Sequence, residues 1–237
     1  MTPARTLLLS HHLSTELLEE IIDHVWDEPD VLDFWRDYGE EYSTLCALSL
    51  SCRALRWRSQ YHLLHRVSIL KMSHLRSLNT LLDEHPQRAS CVLHLVVLST
   101  TERPSPAESF APILGGRLPN LMLLRIRTEF NRADDFEIGP TLSLHRAALA
   151  CLGKFQSITQ LQLLGVRFAM LSEFLRLVHA LRRHLAVLQC IQIWFRNNSR
   201  ALECVDLFRP DSRVPLRSLD VRTCRLTLPY FFDAPLG

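Results

Sequence analysis

Glycine is scarce in this chain of 237 residues: only seven occur. A loop that cradles phosphate with backbone N–H groups therefore has little to be built from. Neither Gly-x-x-x-x-Gly-Lys-Ser/Thr nor Gly-x-Gly-x-x-Gly is present, and those are the usual signatures of nucleotide binding. His-Glu-x-x-His and Gly-x-Ser-x-Gly are missing as well, which removes the helix-borne zinc pair and the nucleophile elbow. The nearest His pairs are His11-His12 and His62-x-x-His65, with no third ligand evident. These absences lead to the expectation of no catalytic residue, no cofactor, no metal and no enzymatic activity. No stretch approaches the ~18 apolar residues that a membrane span needs, and the apolar part of Arg5–His12 is too short for a signal peptide. Lysine is nearly absent, with only Lys71 and Lys154. Lys plus Arg total 27 against 25 Asp plus Glu, a net charge of +2. That balance implies no bulk attraction to nucleic acid or anionic lipid, so neither is expected as a partner. The seven cysteines are an odd number with no Cys-x-x-Cys, which argues for reduced thiols and an intracellular, soluble protein.

What is present begins with helical periodicity. Ser14 is placed to cap a helix, with Glu16, Glu19 and Glu20 in its early turns, where acids suit the helix dipole. Leu17, Leu18, Ile21, Ile22 and Val25 form one apolar face, and the helix should end near Trp26, before Pro29. Residues 27–43 then hold seven acids and one base, Arg36, together with Phe34, Trp35, Tyr38 and Tyr42. This stretch reads as an acidic insertion, a solvated loop whose aromatics tuck back onto the helices. A second helical stretch runs from Thr44 to about His65, with Leu45, Leu48, Cys52 and Leu55 on one face. From 44 to 76 there are six bases and no acid.

From residue 66 the pattern alternates between strand and helix. One template recurs: apolar, two residues, apolar, one residue, apolar. It occurs at Val92/Leu95/Val97, Leu121/Leu124/Ile126, Ile158/Leu161/Leu163, Leu188/Ile191/Ile193 and Leu216/Leu219/Val221, at steps of 29, 37, 30 and 28 residues. A period in that range marks a repeat architecture. Helices are expected between the strands: Ser73–Glu84, stopped by Pro86; one opened by a capping box at Ser105-Pro106-Ala107-Glu108; one on Leu144, Ala148 and Leu152; a clear one over 169–186; and a weaker one over 199–208. Single strand-plus-helix units are too small to bury their own apolar faces, and stacking solves this, with parallel strands on one side and helices on the other. The residues between the template positions should then face outward on the sheet: Arg125 and Arg127, Gln160 and Gln162, Gln192 and Trp194, Asp220 and Arg222. Such a mixed polar face suits a protein substrate. Pro229-Tyr230-Phe231-Phe232 is expected to cap the last unit.

Two stretches resemble known families. Leu13-Ser14-Thr15-Glu16-Leu17-Leu18-Glu19-Glu20-Ile21-Ile22 is similar to the opening of an F-box, whose pattern is Leu-Pro-x-Glu-Ile/Leu, three residues, then Ile-Leu/Ile. Leu45-Cys46-Ala47-Leu48-Ser49-Leu50-Ser51-Cys52-Arg53-Ala54-Leu55 resembles its later Leu-Val-Cys-Arg-x-Trp segment. Ser14 stands in place of Pro, Ser51 in place of Val and Leu55 in place of Trp, with Trp57 nearby to take over part of that packing. The downstream strands, best seen in Leu118-Pro119-Asn120-Leu121, resemble irregular leucine-rich repeats. The resemblance implies an α/β protein: an F-box-like helical module over 10–69, then a leucine-rich-repeat array over 70–237 of about five strand–helix units. It further implies a substrate-recognition adaptor of a cullin–RING ubiquitin ligase. Leu13, Glu16, Leu17, Ile21, Leu48, Leu50, Cys52 and Arg53 would dock on a Skp-type adaptor, and the repeat face would hold the substrate. A repeat scaffold that works without the adaptor is the alternative, and an enzyme with an unrecognised site ranks below both.

Overall fold

The computed structural model describes residues 14–25, 39–128, 140–197, 217–222 and 225–226. Leu13, Trp26, the greater part of the acidic insertion, the expected helix over 199–208 and the Pro229–Phe232 cap lie outside them. The chain divides into two compact units, Met1–Leu64 and His65–Gly237.

The first unit is helical. Helix α1 spans Thr15–Val25, α2 Gly39–Ser51 and α3 Arg53–His65. As the sequence implies, Ser14 starts α1: its Oγ accepts the N–H of Leu17 at 3.3 Å, one of the donors that a helix start leaves without a partner. Ile22 and Leu45 are fully buried, and α1 packs on α2. The helical stretch expected over 44–65 is two helices, and α2 begins earlier, at Gly39, inside the insertion expected to be a loop. In the last turns of α2, Ser49 Oγ donates to the Cys46 carbonyl and Ser51 Oγ to that of Leu48, each at 2.8 Å, competition that weakens continuation of the helix. Asp23 of α1 is tied to α3. It accepts Arg58 Nε and Nη2, both at 2.6 Å, and His62 Nε2 lies 2.7 Å away.

The second unit is α/β. Its elements are β1 (Arg66–Ile69), α4 (Met72–Glu84), a 3-10 turn (Pro86–Cys91), β2 (His94–Ser99), α5 (Pro106–Leu114), β3 (Leu123–Thr128), β4 (Thr141–Leu142), α6 (Arg146–Leu152), β5 (Gln160–Leu164), β6 (Arg167–Met170), α7 (Leu171–Leu181), β7 (Val187–Ile191), β8 (Trp194–Asn197), β9 (Ser218–Arg222) and β10 (Arg225–Leu226). A six-stranded sheet runs β1-β2-β3-β5-β7-β9, and a four-stranded sheet runs β10-β8-β6-β4. Every pairing is parallel. Strands follow chain order, so each unit is laid beside the one before it, and α4 through α7 pack one on the next. Because β1 pairs with β2, residues 66–69 belong to this unit. The boundary placed after residue 69 therefore moves to Leu64.

Register places Val67, Leu95, Leu124, Leu161, Leu188 and Leu219 in one row across the larger sheet. Leu95, Leu124, Leu161 and Leu188 are fully buried in the core, with Val97, Ile126, Leu163 and Cys190 beside them. This corrects the fourth template. Its frame is Leu185/Leu188/Cys190, three residues earlier than expected. Leu185, Leu188 and Ile191 are equally spaced, so two frames satisfy the apolar pattern, and the wrong one ends on the more aliphatic residue.

The same joint recurs between units. The Leu93 carbonyl accepts the N–H groups of both Met122 and Leu123, at 2.8 and 3.1 Å. Met122 does the same for Thr159 and Gln160, Thr159 for Ala186 and Val187, and Ala186 for Arg217 and Ser218. Both lone pairs of one carbonyl are used, which leaves no orphan donor where the chain enters a strand. Asn120 Nδ2 donates to the Ser90 carbonyl and Ser157 Oγ to that of Leu121, at 2.9 and 2.8 Å. The chain leaves the larger sheet for the smaller through a left-handed residue, Gly165 (φ 63°) after β5 and Gln192 (φ 56°) after β7.

The helix starts hold one surprise. Pro106 opens α5 as expected, but Ser105 forms no capping box. Its Oγ accepts the Thr100 N–H at 3.2 Å, and Glu108 pairs with Arg103 instead. Helix α7 is shorter than the 169–186 read from periodicity: Ala169 and Met170 are drawn into the smaller sheet as part of β6, and the helix ends at Leu181.

Candidate functional site

In the helical unit, the residues singled out for docking fall mostly on the surface. Glu16 is exposed in the first turn of α1. The backbone N–H there, and then the Ser14 hydroxyl, hold its carboxyl below the usual range. Leu17 and Ile21 lie one helical turn apart on α1, and each is 48% exposed. Leu50, near the end of α2, is 81% exposed. Leu48 is half-buried, while Cys52 and Arg53 are exposed; Leu13 lies outside the described residues. Trp57 does not take over the packing of an interior Trp: it is 68% exposed, while Leu55 is half-buried. The resemblance misplaced Trp57, because Leu55 and Trp57 are about 200° apart on a helix and cannot share one face.

On the larger sheet, the outward-facing row is a hydrogen-bonded ladder. Arg125, Gln162, Gln189 and Asp220 are register partners on β3, β5, β7 and β9. Arg125 Nε donates to Gln162 Oε1 at 2.7 Å, and Gln162 Nε2 donates to Gln189 Oε1 at 2.6 Å. The expectation of an open polar surface is corrected here. Arg125 is 7% exposed and Gln162 not at all, so both amide and guanidinium are engaged inside the protein. Gln160 is half-buried on the same face. Arg127 and Arg222 are exposed; Arg222 grips Asp220 on its own strand at 3.1 Å. Gln192 and Trp194 leave the set. Gln192 is the left-handed corner, and Trp194 opens β8 of the smaller sheet. Gln189 takes the place of that pair and was missed because of the three-residue frame error. The signal was available: Gln189 stands between Leu188 and Cys190 as Gln162 stands between Leu161 and Leu163.

At the start of that face, His94 is the register partner of Arg66, and its ring lies 5.2 Å from that of His65. Burial, and then the charges of His65, Arg66 and Arg125, push the His94 imidazole down to about 4. Among the described residues, no group of three or more His, Cys, Asp or Glu is placed to hold a metal ion. No helix among them is long and apolar enough to cross a membrane.

No protein-family model matches the chain, and no curated protein matches its sequence. Among solved structures, the chain is similar to the apo crystal structure of the homocysteine methyltransferase MmuM from Escherichia coli. The identity is 14% and the TM-score 0.27, over 94% of this chain and 85% of that one. The expectation that the chain is not an enzyme rested on missing motifs alone, which do not exclude catalysis, and it is withdrawn. At that TM-score the likeness carries no argument about the fold or the reaction.

Proposed function

We propose that the chain is a substrate receptor of a cullin–RING ubiquitin ligase. In this reading the helical unit is an F-box that docks on a Skp-type adaptor, and the α/β unit is an irregular leucine-rich-repeat solenoid that holds a protein substrate. The observation that carries it is the exposure of Leu17, Ile21 and Leu50. Large aliphatic side chains concentrated on the surface of a small helical unit mark an interaction site, and these three stand at positions that the F-box resemblance assigns to adaptor contact. The solenoid is supported by parallel strands in chain order and by the joint repeated from one unit to the next. Of the expected substrate face, Arg127, Asp220 and Arg222 remain accessible for contact. The thiols of Cys46, Cys52, Cys91 and Cys151, which form no disulfide, fit an intracellular setting.

The test is capture of the full chain by a purified Skp-type adaptor. Wild type should bind, and Leu17→Asp/Ile21→Asp should not, while its thermal midpoint stays near wild type because both residues are half out of the core. A folded wild type that fails to bind would move the function to an adaptor-independent scaffold.

A further inference from the structure

At the α2–α3 corner, Arg56 and Trp57 are exposed residues that the F-box pattern does not account for. Trp57 projects from the second turn of α3 with 68% of its surface exposed, in a stretch where Leu50 is 81% exposed and Cys52, Arg53, Ala54 and Arg56 are exposed too. Three arginines occupy the first turns of α3. Arg58 is held by Asp23. Among the described residues, Arg53 and Arg56 have no ion-pair partner. Arg53 and Trp57 are four residues apart, so both lie along one helical face, and Arg56 adjoins them.

Exposed tryptophan flanked by arginine is the composition of a binding hot spot. Trp and Arg are enriched there because a large rigid ring fills a pocket while a planar cation pairs at its edge. From exposed Trp57 beside two arginines that have no ion-pair partner among the described residues, we infer that Trp57, Arg53 and Arg56 form an anchor for an apolar cleft rimmed by carboxylates on the adaptor. The inference rests on the F-box reading. It adds Arg56 and Trp57 to the docking set and names the charge of the partner's rim. Trp57 supplies buried area, and the arginines speed encounter and fix register.

The experiment measures the affinity of the full chain for a purified Skp-type adaptor by calorimetry, at low and high salt. Trp57→Ala should weaken binding by about thirtyfold, the size of a hot-spot truncation. Arg53→Glu/Arg56→Glu should weaken it at low salt and flatten the salt dependence shown by wild type. All variants should keep the wild-type thermal midpoint, since none of these side chains is buried. If Leu17→Asp/Ile21→Asp abolishes binding while the Trp57 and arginine variants bind as wild type does, the anchor is overturned and the receptor reading stands. If wild type does not bind the adaptor, both fall. Concentration-dependent self-association that Trp57→Ala abolishes, without adaptor binding, would assign the corner to a second copy of the chain and also overturn the proposal.

Discussion

Asp23 and His94 respond to acid over different ranges. The Arg58 hydrogen bonds hold the Asp23 carboxyl at about 2, below its ordinary 3.8. A folded-state value below the unfolded one means that the contribution is complete above about pH 4 and is lost as pH falls towards 2. Asp23→Asn should flatten that acid limb of the stability curve and cost about 1 kcal/mol near neutrality, discounted for a pair that is partly exposed to solvent. His94 is also depressed, but it is a base, so its neutral form is the one that the fold accepts. Its stability is intact above about 6.5 and falls as pH drops through 6.5 to about 4, where the unfolded chain binds the proton first. Denaturant titrations across pH should show His94→Gln removing the pH 4–6.5 slope and leaving the one below pH 4. At Gly115, an added Cβ would stand 2.6 Å from the Ala111 carbonyl and 3.2 Å from the Cys151 Cβ. Gly115→Ala should therefore cost about 1–3 kcal/mol in thermal unfolding by overpacking the α5–α6 contact.

Among the elements, the strands were legible and their frame was not. Leu95, Leu124 and Leu161 followed from apolar spacing alone, but a run with equal spacing in the fourth unit admitted two frames, and only pairing with Leu161 chose Leu188 as the central position. β1 went unread, although Leu64, Val67 and Ile69 fit the apolar template, because the resemblance carries the helical module to residue 69. The smaller sheet was invisible because its strands are short, and β6 and β8 begin just past the corner residues Gly165 and Gln192. The ladder tests the corrected frame. Gln162→Met keeps volume but removes the acceptor of Arg125 Nε and the donor to Gln189 Oε1. It should cost about 1–3 kcal/mol, the penalty for stranding buried polar atoms, measured as a shift in denaturant midpoint with unchanged slope.

Across the whole molecule, the row of leucines makes the α/β unit depend on neighbours, since each strand is covered by the next. Leu124→Ala, in the middle of the row, should cost about 2–5 kcal/mol as a cavity, more than a loss at the half-exposed Leu219 of β9. By itself the sequence determined the alternation of strands and helices, the helix starts at Ser14 and Pro106 and most of the inward-facing row, because these depend on local spacing and on donors within one turn. Only the tertiary structure decided the rest. It chose between two valid frames in the fourth unit, formed the second sheet, closed Arg125 and Gln162 into a buried ladder and left Trp57 in solvent. The reason is physical: periodicity says which residues share a face, but whether that face meets another element or water depends on neighbours distant in the chain.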